Sequence, residues 1–192
     1  MANSIYNIPV HNKNKAYSKN DIVMVKETPL VSTGVPTNLK YYYALIDVPS
    51  GEDTLGTNSA YWGGYENINN TQSYPLFLWT PSYNVAVQHA PRVKSVIFGN
   101  GYQQRSPDGL YSGLIKIDLT FDKRDEKESR AILHFLKTQK GVTGFVVKKL
   151  PQIYADGPDN SYKKRFVCQN FNSTYVFHNN YSVKASFIQT NN

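Results

Sequence analysis

Cysteine is almost absent from this chain of 192 residues: Cys168 is the only one, which excludes an intramolecular disulfide and any cysteine-rich zinc site. Long apolar runs are absent too. The longest, Tyr41 to Ile46, is far short of the roughly 20 residues that cross a bilayer as a helix, and the opening MANSIYNIPVHNKNK has no apolar signal-peptide core. The four histidines, His11, His89, His134 and His178, have no metal-ligand spacing among themselves or to Cys168. There is no G-x-x-x-x-G-K-S/T phosphate loop and no G-x-S-x-G elbow. Gly99 to Gln104 lacks the third glycine and the following helix of a dinucleotide loop. The expectation is a protein made in the cytoplasm, inserted in no membrane, using no cofactor or metal and performing no catalysis.

What is present can build a core. At 40% hydrophobic, 14% aromatic and 18% charged, the chain is neither a disordered polyelectrolyte nor a collagen-like repeat. Its charge is unevenly divided. Residues 1–80 carry five Lys against six acids, whereas residues 81–192 carry sixteen Lys or Arg against eight, within an overall charge of +7. A basic half attracts an acidic partner or nucleic acid, yet no block of like charge exceeds Lys163, Lys164 and Arg165. The local acid pairs, Glu52 with Asp53, Asp125 with Glu126, and Asp156 near Asp159, fall in loops or at a helix start, where solvation explains them better than glycosidase chemistry. Cys168, inside the strand-like FVCQNF, reads as a buried, inert thiol.

Along the chain the signals are mostly those of strands. Asp21 to Val25 and Tyr41 to Val48 are β-branched or aromatic runs separated by a turn-rich segment. Pro49 to Asn70 has loop chemistry, and Tyr74 to Ser82 reads as the link between a small β module, residues 1–80, and a second domain, residues 81–192. In that domain Arg92 to Phe98 leads into Asn100-Gly101, a tight hairpin turn with positive φ at the Asn-Gly pair. Gly113 to Phe121 alternates with period two, so one face is expected to be buried. Asp122 to Lys140 is the one helix, with Asp122 as its cap, Gly141 closing it, and Ala131, Ile132, Phe135 and Leu136 on one face. Strands follow at Gly144 to Lys149, Arg165 to Phe171, Thr174 to Phe177 and Tyr181 to Ile188. The fold class is mainly β, a β-barrel or sandwich carrying one surface α-helix, preceded by the small β module.

The run Phe98, Gly99, Asn100, Gly101, Tyr102, Gln103, Gln104, Arg105, followed by Gly109 and Leu110, resembles the F-G-D-G-Y-x-Q-R…G-L segment of the lambda-type minor tail protein M family of tailed phages. The resemblance continues through Phe135 and Leu136, Gly141, Gly144 and Phe145, Val167 and Cys168, to Ala185, Phe187 and Gln189, covering about Pro81 to Gln189. Asn100 stands where the family usually has Asp, and Lys148 to Pro151 replaces a more aromatic segment. The resemblance implies a structural, distal tail protein of the virion. It would form a homo-oligomeric ring, expected to be a hexamer, between the tail tube protein and the baseplate hub protein, with DNA only as cargo through the lumen. Lys123, Arg124 and Arg130, placed on the helix and opposed by Asp156 and Asp159 on a neighbour's loop, are the candidate ring contacts.

The first module is similar, more distantly, to chitin-binding-type carbohydrate modules through Tyr17, Asp21, Val23, Tyr41, Ala44 and Trp62, with Asn20 in place of the usual glycine. That similarity implies an aromatic platform of Tyr61, Trp62 and Tyr65, set beside flexible Gly63 and Gly64, for host glycan or for a collar or fibre protein. Two readings of these rings stay open: a stacking platform, or the filling of a small core. Two rival functions also follow from the sequence, a free-standing carbohydrate-binding adhesin and a basic nucleic-acid-binding protein whose affinity would fall steeply with salt.

Overall fold

The computed structural model describes residues 7–27, 38–52, 55, 59–68, 72–82, 85–109, 113–148 and 164–190. The fold is mainly β and sandwich-like, with one helix and no closed barrel among the described residues. Strands β1 (Ile22–Glu27), β2 (Asn38–Ala44) and β3 (Trp62–Gly63) form a small antiparallel sheet. A second sheet of seven strands runs in the order β4 (Tyr65–Ile68), β5 (Gln72–Phe77), β10 (Phe145–Val147), β11 (Arg165–Phe177), β12 (Asn180–Thr190), β9 (Ile115–Arg124), β6 (Ala86–His89). Strands β7 (Val93–Ile97) and β8 (Gln103–Pro107) pair only with each other.

The period-two pattern of β9 does what it predicts. Ile115, Ile117, Leu119 and Phe121 are buried, while Lys116, Asp118 and Thr120 between them are half-buried. Helix α1 (Glu126–Gln139) lays Ala131, Ile132, Phe135 and Leu136 into the same core. Its start differs from the expectation at Asp122. Strand β9 continues to Arg124, paired with Tyr181, and a bulge at Lys123 (φ 55°) absorbs the register shift before the helix begins. The cap is Asp125, whose side chain accepts the Glu128 N–H at 2.7 Å. At the other end Lys140 (φ 52°) is itself left-handed and precedes Gly141.

Three further segments differ from the sequence reading. The two strands expected at Arg165 to Phe171 and Thr174 to Phe177 are one strand, irregular between Cys168 and Asn170. The loop expected over Pro49 to Asn70 contains β3 and β4. Tyr74 to Ser82, expected as a link, begins inside β5. That strand lies parallel to β10, with Leu76 opposite Val146 and Phe77 opposite Val147. Leu76, Phe77, Leu78 and Trp79, just before the expected division at 80/81, are all buried in the main core. Phe77 is its centre, with ring centroids 5.1 Å from Trp79, 5.6 Å from Phe121, 5.5 Å from Phe135 and 5.2 Å from Phe187.

The small sheet joins this core through Ile22 and Tyr43. Tyr43 packs edge-on against Trp79 at 5.1 Å, and its hydroxyl hydrogen-bonds His134 Nδ1 on α1 at 3.0 Å. Behind it, Tyr17, Val23, Ala44, Val48 and Trp62 form a second, smaller cluster.

Candidate functional site

The residues that carry the family motif build one feature, the β7–β8 hairpin. Val93 pairs with Pro107 and Ile97 with Gln103, and the strands are joined through Gly99, Asn100 and Gly101. The loop is one residue longer than the tight turn expected. Gly101 N–H bonds to the Phe98 carbonyl at 2.9 Å and Phe98 N–H to the Tyr102 carbonyl at 2.8 Å. Gly101 alone takes a positive φ, 83°, and Asn100 does not. This is a turn closed by a left-handed glycine, the three-residue hairpin solution. A Cβ on Gly101 would meet nothing within 4 Å, so backbone conformation and not space demands glycine there. Asn100 does its work through its side chain, whose Oδ1 accepts the Tyr102 N–H at 3.1 Å. An Asp can accept that bond equally, so the departure from the family pattern leaves the turn intact.

Gln104 lies opposite Val96, and Arg105 is held alongside Gln103 by a 3.0 Å side-chain bond. Gly109 (φ 87°) turns the chain at the hairpin's foot, next to the Asp108 N–H bond to the Arg92 carbonyl. Every residue from 91 to 109 is exposed, and among them Val93 (54%), Val96 (51%), Ile97 (72%), Phe98 (44%) and Tyr102 (64%) are large and apolar. Phe98 and Tyr102 lie side by side, ring centroids 5.8 Å apart. Both faces of the ribbon carry apolar groups. A two-stranded ribbon exposed on both faces is marginally stable in water.

The aromatic platform is corrected by the structure. Trp62 is 1% exposed, edge-on to Tyr17 at 5.2 Å and to His11 at 5.5 Å, so the core alternative holds for it. The glycines beside it are confined rather than flexible: a Cβ on Gly64 would stand 2.5 Å from the Tyr41 carbonyl oxygen, and one on Gly63 2.9 Å from Leu78. Close approach of β3 to β2 pulls Trp62 inward. Tyr61 packs half-buried against the same cluster, and Tyr65 leans on Tyr42 at 5.5 Å with the Lys40 ammonium 5.4 Å above its ring. The three rings make no common exposed face.

The expected ring contacts are not gathered on the helix. Lys123 and Arg124 end β9, and only Arg130 is on α1. Arg124 is already engaged, pairing with Glu128 at 2.9 Å and donating to the Thr80 carbonyl at 2.8 Å. Asp156 and Asp159 lie outside the described residues.

Three buried titratable groups are held neutral. Burial, helped by the Arg130 charge, lowers His134 to about 4, and burial raises the Cys168 thiol to about 11. Burial also pushes Tyr43 well above its ordinary value. No group of three or more His, Cys, Asp or Glu capable of holding a metal occurs among the described residues. No helix there is long and apolar enough to cross a membrane.

The architecture therefore defines a mainly β, sandwich-like protein with one packed helix and a projecting motif-bearing hairpin. Within that class, the sequence profile of the phage minor tail protein family matches residues 75–191, more than half of the chain, and the chain belongs to that family. The match begins inside β5, so it takes in Leu76 to Trp79 together with the sheet they help to fill. It also makes the chain a structural component of a phage tail, hence of the virion. Among curated proteins there is no match.

The exposure of the hairpin escaped sequence reasoning. A signal was available: Val96, Ile97 and Phe98 are consecutive, so apolar side chains alternate onto both faces, unlike the one-sided pattern of β9.

Proposed function

We propose that this chain is a distal tail protein of the lambda M type, assembling as a closed homo-oligomeric ring, sixfold in number, between the tail tube and the baseplate hub. DNA passes through the ring's lumen as cargo. The role is structural and not catalytic. The small sheet β1–β3 sits on the outside of the ring, where it meets a collar or fibre subunit.

The observation that carries this reading is the bare hairpin. A ribbon with five exposed large apolar side chains and the family's motif at its tip needs a protein surface to lie on. A tail component repeated around an axis meets that need with the next copy, through a head-to-tail contact whose rotation closes. The buried, neutral His134 and Cys168 suit packing rather than proton or thiolate chemistry.

Electron microscopy of the purified chain and of the virion that carries it is the direct test. Rings at the tail tip are expected. A monodisperse monomer at high concentration, together with absence of the chain from virions, would overturn the reading.

A further inference from the structure

A second bare hairpin stands elsewhere on the molecule. Beyond Asn170, strand β11 pairs with β12 alone, and residues 172 to 179 are all exposed. Tyr175 (62%), Val176 (55%) and Phe177 (60%) project there. Of the twelve large hydrophobics exposed among the described residues, eight lie on these two hairpins, so the apolar surface is concentrated and not scattered.

The two patches differ in the charge around them. The β7–β8 ribbon carries Arg92, Lys94 and Arg105 against one acid, Asp108, all exposed. The β11–β12 tip has no Asp, Glu, Lys or Arg between Asn172 and Tyr181, but it is tied to the acidic start of α1. Asn179 Oδ1 accepts the Glu126 N–H at 2.9 Å, and Ser182 Oγ donates to Asp122. The rim there is Asp122, Asp125 and Glu126 against Lys123 and, on β12 opposite Asn172, Lys184, all exposed, so acids outnumber free cations; Arg124 is paired with Glu128 and Lys127 with Asp21. One patch is thus apolar with a basic rim, the other apolar with an acidic rim.

We propose that the β7–β8 hairpin of one copy docks on the β11–β12 tip of the next, apolar side chains facing each other and Arg92, Lys94 and Arg105 meeting Asp122, Asp125 and Glu126. The proposal rests on the ring reading and identifies the contact within it. Two different, complementary patches on one chain make a head-to-tail interface, which propagates, and not a two-fold dimer, which stops. Size is consistent. At ~150–250 Å² for a fully buried aromatic ring and somewhat less for Val and Ile, the exposed fractions of the eight side chains come to roughly 800 Å², about two thirds of the smallest stable interface before the polar rim is added.

Cysteine pairing tests the contact on the full chain. Ile97→Cys and Val176→Cys are made separately, then mixed under mild oxidation. Cys168 is 1% exposed with its thiol raised to about 11, so it stays silent, and the natural chain is the control. The mixture is expected to give a disulfide-linked pair at least tenfold more abundantly than either variant alone. Ile97→Asp, at an exposed position, is expected to lower the oligomer population at least tenfold with an unchanged melting temperature. If the natural chain forms rings but the mixture does not cross-link and Ile97→Asp still assembles, this contact is overturned while the ring stands. If the mixture cross-links but only open chains are seen, the contact stands and the closed ring falls. A natural chain that stays monomeric and a mixture that does not cross-link overturn both.

Discussion

Single residues in this protein are decided by what packs around them once they are buried. Trp62 fills the smaller cluster with Tyr17, Val23, Ala44 and Val48, so truncation leaves a cavity. Trp62→Ala is expected to lower stability by about 3–5 kcal/mol, measured by urea unfolding, as large-to-small core changes do. Host adsorption should change only in step with that loss of folded protein. His134 offers a second residue-scale outcome. Its folded value near 4 lies below the ordinary 6.5, so the unfolded chain binds the proton more readily. Stability from this group is full above pH 6.5 and is lost as pH falls toward 4. Unfolding at pH 5 is expected to show a loss on the order of 2 kcal/mol relative to pH 7. His134→Gln should flatten that slope while keeping a side chain able to bond the Tyr43 hydroxyl.

At the scale of elements, the hairpin and the helix show how local chemistry sets ends and turns. Gly101 is needed for its φ of 83°, where a β-branched side chain is strained and Asn is tolerated. Gly101→Val is expected to abolish ring assembly, scored by electron microscopy, and Gly101→Asn to restore much of it. Because the turn touches no core, the melting temperature of the two variants should differ little; a large fall with Val would show that the hairpin supports the fold itself. The helix illustrates the limit of local reading. Its buried face was legible from spacing, but Asp122 and Asp125 are both acceptable caps in sequence. The pairing of Arg124 with Tyr181, a partner 57 positions away, keeps Asp122 in β9 and hands the cap to Asp125.

For the whole molecule, the parallel pairing of β5 with β10 is the joint on which the core turns. Phe77 meets rings from β9, α1, β10 and β12, and without β5 the part of each that packs on Phe77 would be open to water. A chain begun at Pro81 is therefore expected to lose cooperative thermal unfolding and to bind hydrophobic dyes, whereas Phe77→Ala in the full chain should fold with stability reduced by about 3–5 kcal/mol. Cooperative melting of the shortened chain would show that the larger sheet closes its core without β5.

The sequence by itself determined the strand-rich class, the one helix and its buried face, the glycine at the hairpin turn and the family motif. Each of these depends on neighbours within a few positions: a period of two, a period of 3.6, or a backbone angle that only certain residues adopt. Tertiary structure alone decided that Trp62 is core and that YPLFLW is an interior strand and buried core rather than a link; it also set the motif hairpin clear of its own fold, which the consecutive Val96, Ile97 and Phe98 only hinted at. An aromatic ring in a glycine-rich segment has the same local chemistry whether it faces sugar or a core. What separates the cases is a partner far away in sequence: β2 drawing Trp62 inward beside Gly63 and Gly64, and β10 giving Leu76 and Phe77 a neighbour.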